Sequence, residues 1–155
     1  MNHIRAGRRI IVLLLFLLGF SPGAGILMSQ PASTIEVKNA LPPPGYPVDG
    51  DTVIRADIAY QIGDFDSSHG KYILVPMFDT ADDPNQTFNE LPSSASALQL
   101  KAQAGVAHLV YPLRREWASG KLAKPIKVKY FIMQVGRNHT LMPVVETDVY
   151  EYKAH

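Results

Sequence analysis

The residues of this 155-residue chain that could do chemistry are few and scattered. Asp64 and Asp66 share the Gly63–Gly70 stretch, and Asp79, Asp82 and Asp83 follow in the next polar segment. Oxygen ligands gathered in loops suit Ca²⁺, which takes six to eight of them. Asp79, Asp82 and Asp83 are therefore the candidate metal ligands and Ca²⁺ the candidate cofactor. The segment lacks the D-x-D-x-D-G-x5-E spacing of a calcium-binding loop, and turn Asp residues commonly bond their own backbone. His69, His108 and His139 show no HxH or HxxxH spacing, so a zinc site would need a tertiary coincidence. His108 alternates with Val106 and Val110 and reads as a satisfied, partly buried histidine. There is no Cys, which excludes disulfides, thiolate metal sites, Cys nucleophiles and a lipidated N-terminal Cys. Ser67-Ser68 and Ser119-Gly120 lack the G-x-S-x-G elbow, and no Gly-rich loop precedes a helix. An extracytoplasmic hydrolase would have to assemble Asp64, Ser68, His69 and His139 by geometry alone. No catalytic residue is assigned.

A basic stretch runs through Arg114, Arg115, Lys121, Lys124, Lys127 and Lys129 and brackets Trp117, the only Trp. Trp beside Arg is the pairing found at binding hot spots, and an exposed indole can stack on a sugar ring. Trp117, Arg114 and Arg115 are the candidate binding residues. The competing reading is a core Trp that caps an open end of the fold, with solvated lysines around it. Asn85-Gln86-Thr87 and Asn138-His139-Thr140 match the glycosylation sequon.

Three of the fifteen basic residues, Arg5, Arg8 and Arg9, precede the apolar run Ile10–Phe20, and Ser21-Pro22-Gly23-Ala24-Gly25 follows it. This is the layout of a secretory signal peptide, with cleavage after Gly25 best placed for small side chains. As a helix the run would be about 16 Å long, too short for a bilayer core of roughly 30 Å. The expected location is extracytoplasmic, periplasmic or secreted. The N-terminal segment is the one membrane attachment expected, and only if it stays uncleaved. Without it the chain carries twelve basic and fourteen acidic residues, a balance that offers nucleic acid no electrostatic pull.

The elements that would position these residues are strands. In Pro125–Gly136, Ile126, Val128, Tyr130 and Ile132 share one face and Lys127 and Lys129 the other; Phe131 and Met133 suggest cover on both sides. In Thr52–Ile62, Ile54, Ala56, Ile58, Tyr60 and Ile62 oppose Arg55, Asp57 and Gln61, and a one-residue slip would bury the charges. Lys71–Asp79 is apolar on both faces, with Pro76 leaving a gap in any ladder. Further strands are expected at Thr34–Lys38, in Ser93–Gln103, at Val106–Leu113 and from Leu141 to Lys153; Ser93 or Ser94 would cap a helix if that segment were helical instead. Arg114–Lys121 reads as a short helical turn. Pro42-Pro43-Pro44-Gly45 reads as an extended linker or a kink where the chain changes sheets. About seven short strands separated by turn clusters predict an all-β fold, an antiparallel two-sheet sandwich. The expected layout is a signal segment at 1–25, a Pro-rich lead-in with a possible edge strand at 26–51, and a sandwich domain at 52–155.

Leu122-x-x-Pro125-x-x-Val128-x-Tyr130 resembles the lead-in to the next-to-last strand of immunoglobulin-like and fibronectin type III-like domains. The spacing is one residue longer between Leu and Pro, and the early Trp and the Cys pair are absent. The resemblance implies the sandwich architecture and a Tyr130 hydroxyl tied back to the loop, and brings no catalytic residue. The expected function is an exported, non-enzymatic binding or structural module that meets another protein. The alternatives are a carbohydrate- or calcium-dependent adhesion module and the hydrolase.

Overall fold

Ile126, Val128, Tyr130 and Ile132 are all 0% exposed, as the alternation along their strand requires. The computed structural model that shows this describes residues 31–68, 70–83, 85–89, 97–136 and 138–155. The signal segment, His69, Glu90, Ser93, Ser94 and Arg137 lie outside the described residues.

The described chain runs β1 (Thr34–Leu41), β2 (Pro47–Val48), β3 (Val53–Gln61), β4 (Lys71–Asp79), β5 (Thr87–Phe88), β6 (Leu98–Leu100), β7 (Ala104–Pro112), α1 (Arg114–Ser119), β8 (Ile126–Val135), β9 (Leu141–Glu146) and β10 (Tyr150–Ala154). One sheet has the order β1-β3-β7. The other has the order β2-β10-β8-β4-β5, with β6 also on β4 and β9 also on β8. All pairings are antiparallel except that of β2 with β10. This is the antiparallel sandwich: with β5–β6 and β9–β10 each taken as one line and the two-residue β2 set aside, the first, second and fifth lines form one sheet and the third, fourth, sixth and last the other, an immunoglobulin-like order. The strand number exceeds the expected seven because two of the lines are broken and the two-residue β2 is added. β9 and β10 are halves of one line along β8, and β5 and β6 are fragments of one line along β4.

Both breaks flank the same level of the β4–β8 pair, where Pro76 lies opposite Tyr130. Pro76 has no N–H, and its carbonyl accepts from Asn89 Nδ2 at 2.7 Å, on the side where β5 and β6 leave a gap. Tyr130 turns its own backbone groups the other way. Its N–H donates to Thr147 Oγ1 at 3.1 Å, and its carbonyl accepts from the Thr147 N–H at 3.0 Å, between β9 and β10. Pro42–Gly45 is the corner at which the chain leaves the β1 sheet and enters the other at β2. Within 26–51 the described residues thus hold an edge strand and this corner.

Between the sheets lies one cluster built on Ile54, Ile58, Leu74, Phe78, Leu109, Tyr111, Val128 and Ile132. Burying each Ile contributes about 1.5–3 kcal/mol. The outer face of β8 is only half-buried at Phe131 and Met133, so its cover is one-sided. Ile73 and Val75 on the outer face of β4 are buried beside these same residues, their partners across the ladder. The tyrosine tie implied by the resemblance is absent. The Tyr130 and Tyr152 hydroxyls influence one another's ionisation but stand outside hydrogen-bonding geometry, and neither has a hydrogen-bond partner among the described residues. Burial is the main force that lifts both phenols above their ordinary ionisation range.

Candidate interaction surface

Among the described residues no strand pairs with the outer edge of β7. β7 pairs with β3 over nine successive residues without a register shift, from Val53↔Pro112 to Gln61↔Ala104. Just beyond the two ends, the Leu113 N–H donates to the Thr52 carbonyl at 2.9 Å and the Ile62 N–H to the Gln103 carbonyl at 2.8 Å. In an antiparallel ladder the residues that exchange bonds alternate. The odd-numbered residues of β7 therefore turn their N–H and C=O groups toward β3. Ala104, Val106, His108, Val110 and Pro112 turn theirs to the free edge. Among the described residues nothing pairs with that edge.

The same even-numbered residues carry the solvent face, because Ala107, Leu109 and Tyr111 are the buried ones. Val106 and Val110 are each 54% exposed. His108 is satisfied but not buried. Its Nδ1 lies 2.7 Å from Asp57 Oδ1 and its side chain is 76% exposed. The sequence placed it indoors because both parities of this strand are apolar; the larger Leu109 and Tyr111 take the core. The His108 hydrogen bond is the first cause holding the Asp57 carboxyl below its ordinary value, and Asn39 adds to it. Around this pair, Leu41, Arg55 and Val110 form one cross-strand row, Asn39, Asp57 and His108 the next, and Ala59 with Val106 the third.

The other edges are guarded. β1 carries a bulge between Val37 and Asn39 and a Glu36–Lys38 pair at 2.6 Å. The β4 side ends in fragments around Pro76, and the β9 strand contains Pro143. Bulges, charges, prolines and short strands are the usual means of blocking edge-to-edge pairing. β7, Ala-Gly-Val-Ala-His-Leu-Val-Tyr-Pro, has no Lys, Arg, Asp or Glu and no bulge; its one Pro stands at the very end.

The residues singled out from sequence lie elsewhere. Arg114 and Arg115 are exposed on α1, but Trp117 is half-buried against the core. A Cβ at Gly50 would come within 3.0 Å of the indole Cδ1, and Lys124 Nζ sits 5.1 Å from the ring centroid. The indole thus packs on Gly50 and is approached by the Lys124 ammonium. Asp79 ends β4, and Asp82 and Asp83 follow in the segment after it. Asp83 Oδ1 accepts from the Asn85 N–H at 2.9 Å, and the Asp79 carbonyl accepts from Ala123. Among the described residues no three His, Asp or Glu side chains are close enough to hold a metal. Asp66 binds the Ser68 hydroxyl at 2.6 Å, while His139 sits in the β8–β9 turn with φ 59°.

A cleft of about 1140 Å³ opens at the end of the sandwich, between Pro31–Ser33, the Gly63–Asp66 loop, Gln103, Gln134 and Met142. Tyr72 organises it: its hydroxyl donates to the Asp64 carbonyl at 2.8 Å and its ring stacks on Phe65 at 5.1 Å. The sequence missed two things, the buried Glu116 that accepts the Tyr111 hydroxyl and the free edge of β7. The signal for the edge was present, as nine residues with apolar side chains on both parities and no formal charge. No protein-family model, curated protein or solved structure matches the chain.

Proposed function

We propose that the chain is an exported, non-enzymatic β-sandwich that binds another protein by accepting a strand at the edge of β7. The observation that carries this reading is the contrast between edges: among the described residues three are guarded and one, long and uncharged, is open. Main-chain bonds to the even-numbered residues supply affinity, and the exposed Val106 and Val110 supply side-chain contact on the outer face. The Arg-flanked apolar run at the N-terminus supports export. Two measurements test the reading. The exported chain should begin at Ile26 by N-terminal sequencing. A tagged chain used for affinity capture from the extracytoplasmic fraction should retain a partner, and Val106→Lys with Val110→Lys should release it while leaving the circular dichroism unchanged. Equal capture by both forms refutes the β7 site.

A further inference from the structure

The strand that completes this edge is left open by the reading above, and the strand's own sequence answers it. We infer that the donor is a second copy of this chain, its β7 pairing antiparallel with the first about a two-fold axis at His108, so that β1-β3-β7 becomes half of a continuous six-stranded sheet. This rests on the β7 reading and names its partner.

Only the even-numbered residues offer edge bonds, so a self-pair must place even opposite even. Centred on His108, the register sets Val106 across from Val110 of the second copy and Ala104 across from the second copy's Pro112. Every edge N–H from Ala104 to Val110 then finds a carbonyl across the seam. Pro112, which has no N–H to offer, falls at the last rung, where one bond is lost rather than a ladder broken. The side-chain rows agree with this register. The four valines of the two strands meet as Val–Val pairs on the outer face, the β-branched pairing that sheets favour. The two His108 rings meet at the axis, each already bonded to its own Asp57 at 2.7 Å. β7 brings no formal charge to the seam to oppose it. A self-complementary patch of this kind is what a two-fold interface requires. A shift of the register by one rung to either side would set each histidine against a valine.

Because the chain has no Cys, single cysteines report the register directly. Directly opposed, hydrogen-bonded antiparallel residues have Cα atoms about 5.5 Å apart, within the roughly 4.4–6.8 Å that a disulfide spans. On mild oxidation of the purified full chain, His108→Cys should give a reducible dimer. Val106→Cys alone should not, since the two copies of residue 106 are about 13 Å apart along the strands. Val106→Cys with Val110→Cys should cross-link again. By light scattering the wild-type chain should have twice its sequence mass. Val106→Lys with Val110→Lys, which faces Lys with Lys, should halve it. Val106→Lys with Val110→Glu, which faces Lys with Glu across the axis, should stay dimeric.

A wild-type chain that remains monomeric at hundreds of micromolar overturns the proposal. So do cross-linking at residue 106 equal to that at residue 108 and a Lys/Lys variant that remains dimeric. A monomeric wild type whose Lys/Lys variant nonetheless loses a captured partner gives the edge to another protein; self-pairing then fails and the β7 binding reading stands.

Discussion

Asp49 and Thr52 close the turn before β3 by bonding each other three times, once from the Thr52 N–H to the Asp49 carbonyl at 3.2 Å. The Asp49 N–H donates to Thr52 Oγ1 at 2.9 Å, and the Thr52 hydroxyl donates back to Asp49 Oδ1 at 2.8 Å. That hydroxyl is the largest cause holding the Asp49 carboxyl below its ordinary 3.8, ahead of the Asp51 N–H. A carboxyl depressed on folding adds stability that is complete above its unfolded value and is lost as pH falls through the folded one. Thr52→Val should therefore move the Asp49 titration up toward 3.8 by NMR, and the variant should lose less of its stability than wild type as pH falls below that value. A deeper residue is Tyr111, whose hydroxyl meets both Glu116 and, at 3.0 Å, Asn89 Oδ1. Tyr111→Phe keeps the ring in the core and removes the hydroxyl from beside a carboxylate that is 0% exposed. Loss of a buried partner costs about 1–3 kcal/mol, to be read from urea denaturation. Asp49 was legible only as part of the Pro-rich lead-in at 26–51. Glu116 was not, because it follows Arg114 and Arg115 in a helix of only six residues, too short for periodicity to mark an inward face.

At the scale of elements, legibility followed one-sidedness. β3, and β8 over its first half, carry apolar residues on one parity and mostly polar ones on the other, so their buried faces could be read directly. β7 has apolar residues on both parities, and its face is settled only by its partner β3. The break between β9 and β10 was also hidden, since Thr147 looks like any other residue of a strand. Its hydroxyl accepts from the Tyr130 N–H at 3.1 Å, in place of the bond a continuous strand would make. Thr147→Val preserves shape and leaves that buried N–H without an acceptor, at about 1–3 kcal/mol. Thr147→Ser keeps the oxygen and should cost less. Hydrogen exchange at the Tyr130 amide separates the two, with faster exchange expected in the Val variant only. The alternation in β7 gives a paired experiment. Leu109→Pro removes an N–H that faces β3 and should prevent folding. His108→Pro removes one that faces the free edge and should leave a cooperative melt, because an edge position tolerates proline where the ladder does not.

For the molecule as a whole, the sandwich class was legible from the spacing of strands and turns. The pairing order was not, because it depends on which distant segments meet. The same holds for the end of the sandwich, where the chain that leads into β1 crosses the loop that follows β3. The Gly63 N–H donates to Ser33 Oγ at 3.0 Å, and a Cβ on Gly63 would lie 2.2 Å from the Pro31 carbonyl oxygen. Real atoms do not approach so closely, and the obstacle is backbone, so Gly63→Ala must push Pro31–Ser33 off the loop. The ladder that follows, from Thr34↔Gln61 onward, has its own bonds and remains. The outcome should be local: an unchanged β-rich circular dichroism spectrum, a modest fall in melting temperature, and faster proteolysis ahead of Thr34, mapped by mass spectrometry. Ser33→Ala removes the single hydrogen bond without the clash and should cost about 0.5–1.5 kcal/mol with a weaker gain in cleavage. Protection of the 31–33 segment equal to wild type in Gly63→Ala would mean that this crossing does not hold the N-terminal approach in place. The same substitution should widen the adjacent cleft, since Pro31, Ala32 and Ser33 form one of its walls. It should leave the β7 edge untouched, because Gly63 lies outside the β3–β7 ladder, which ends at Gln61↔Ala104.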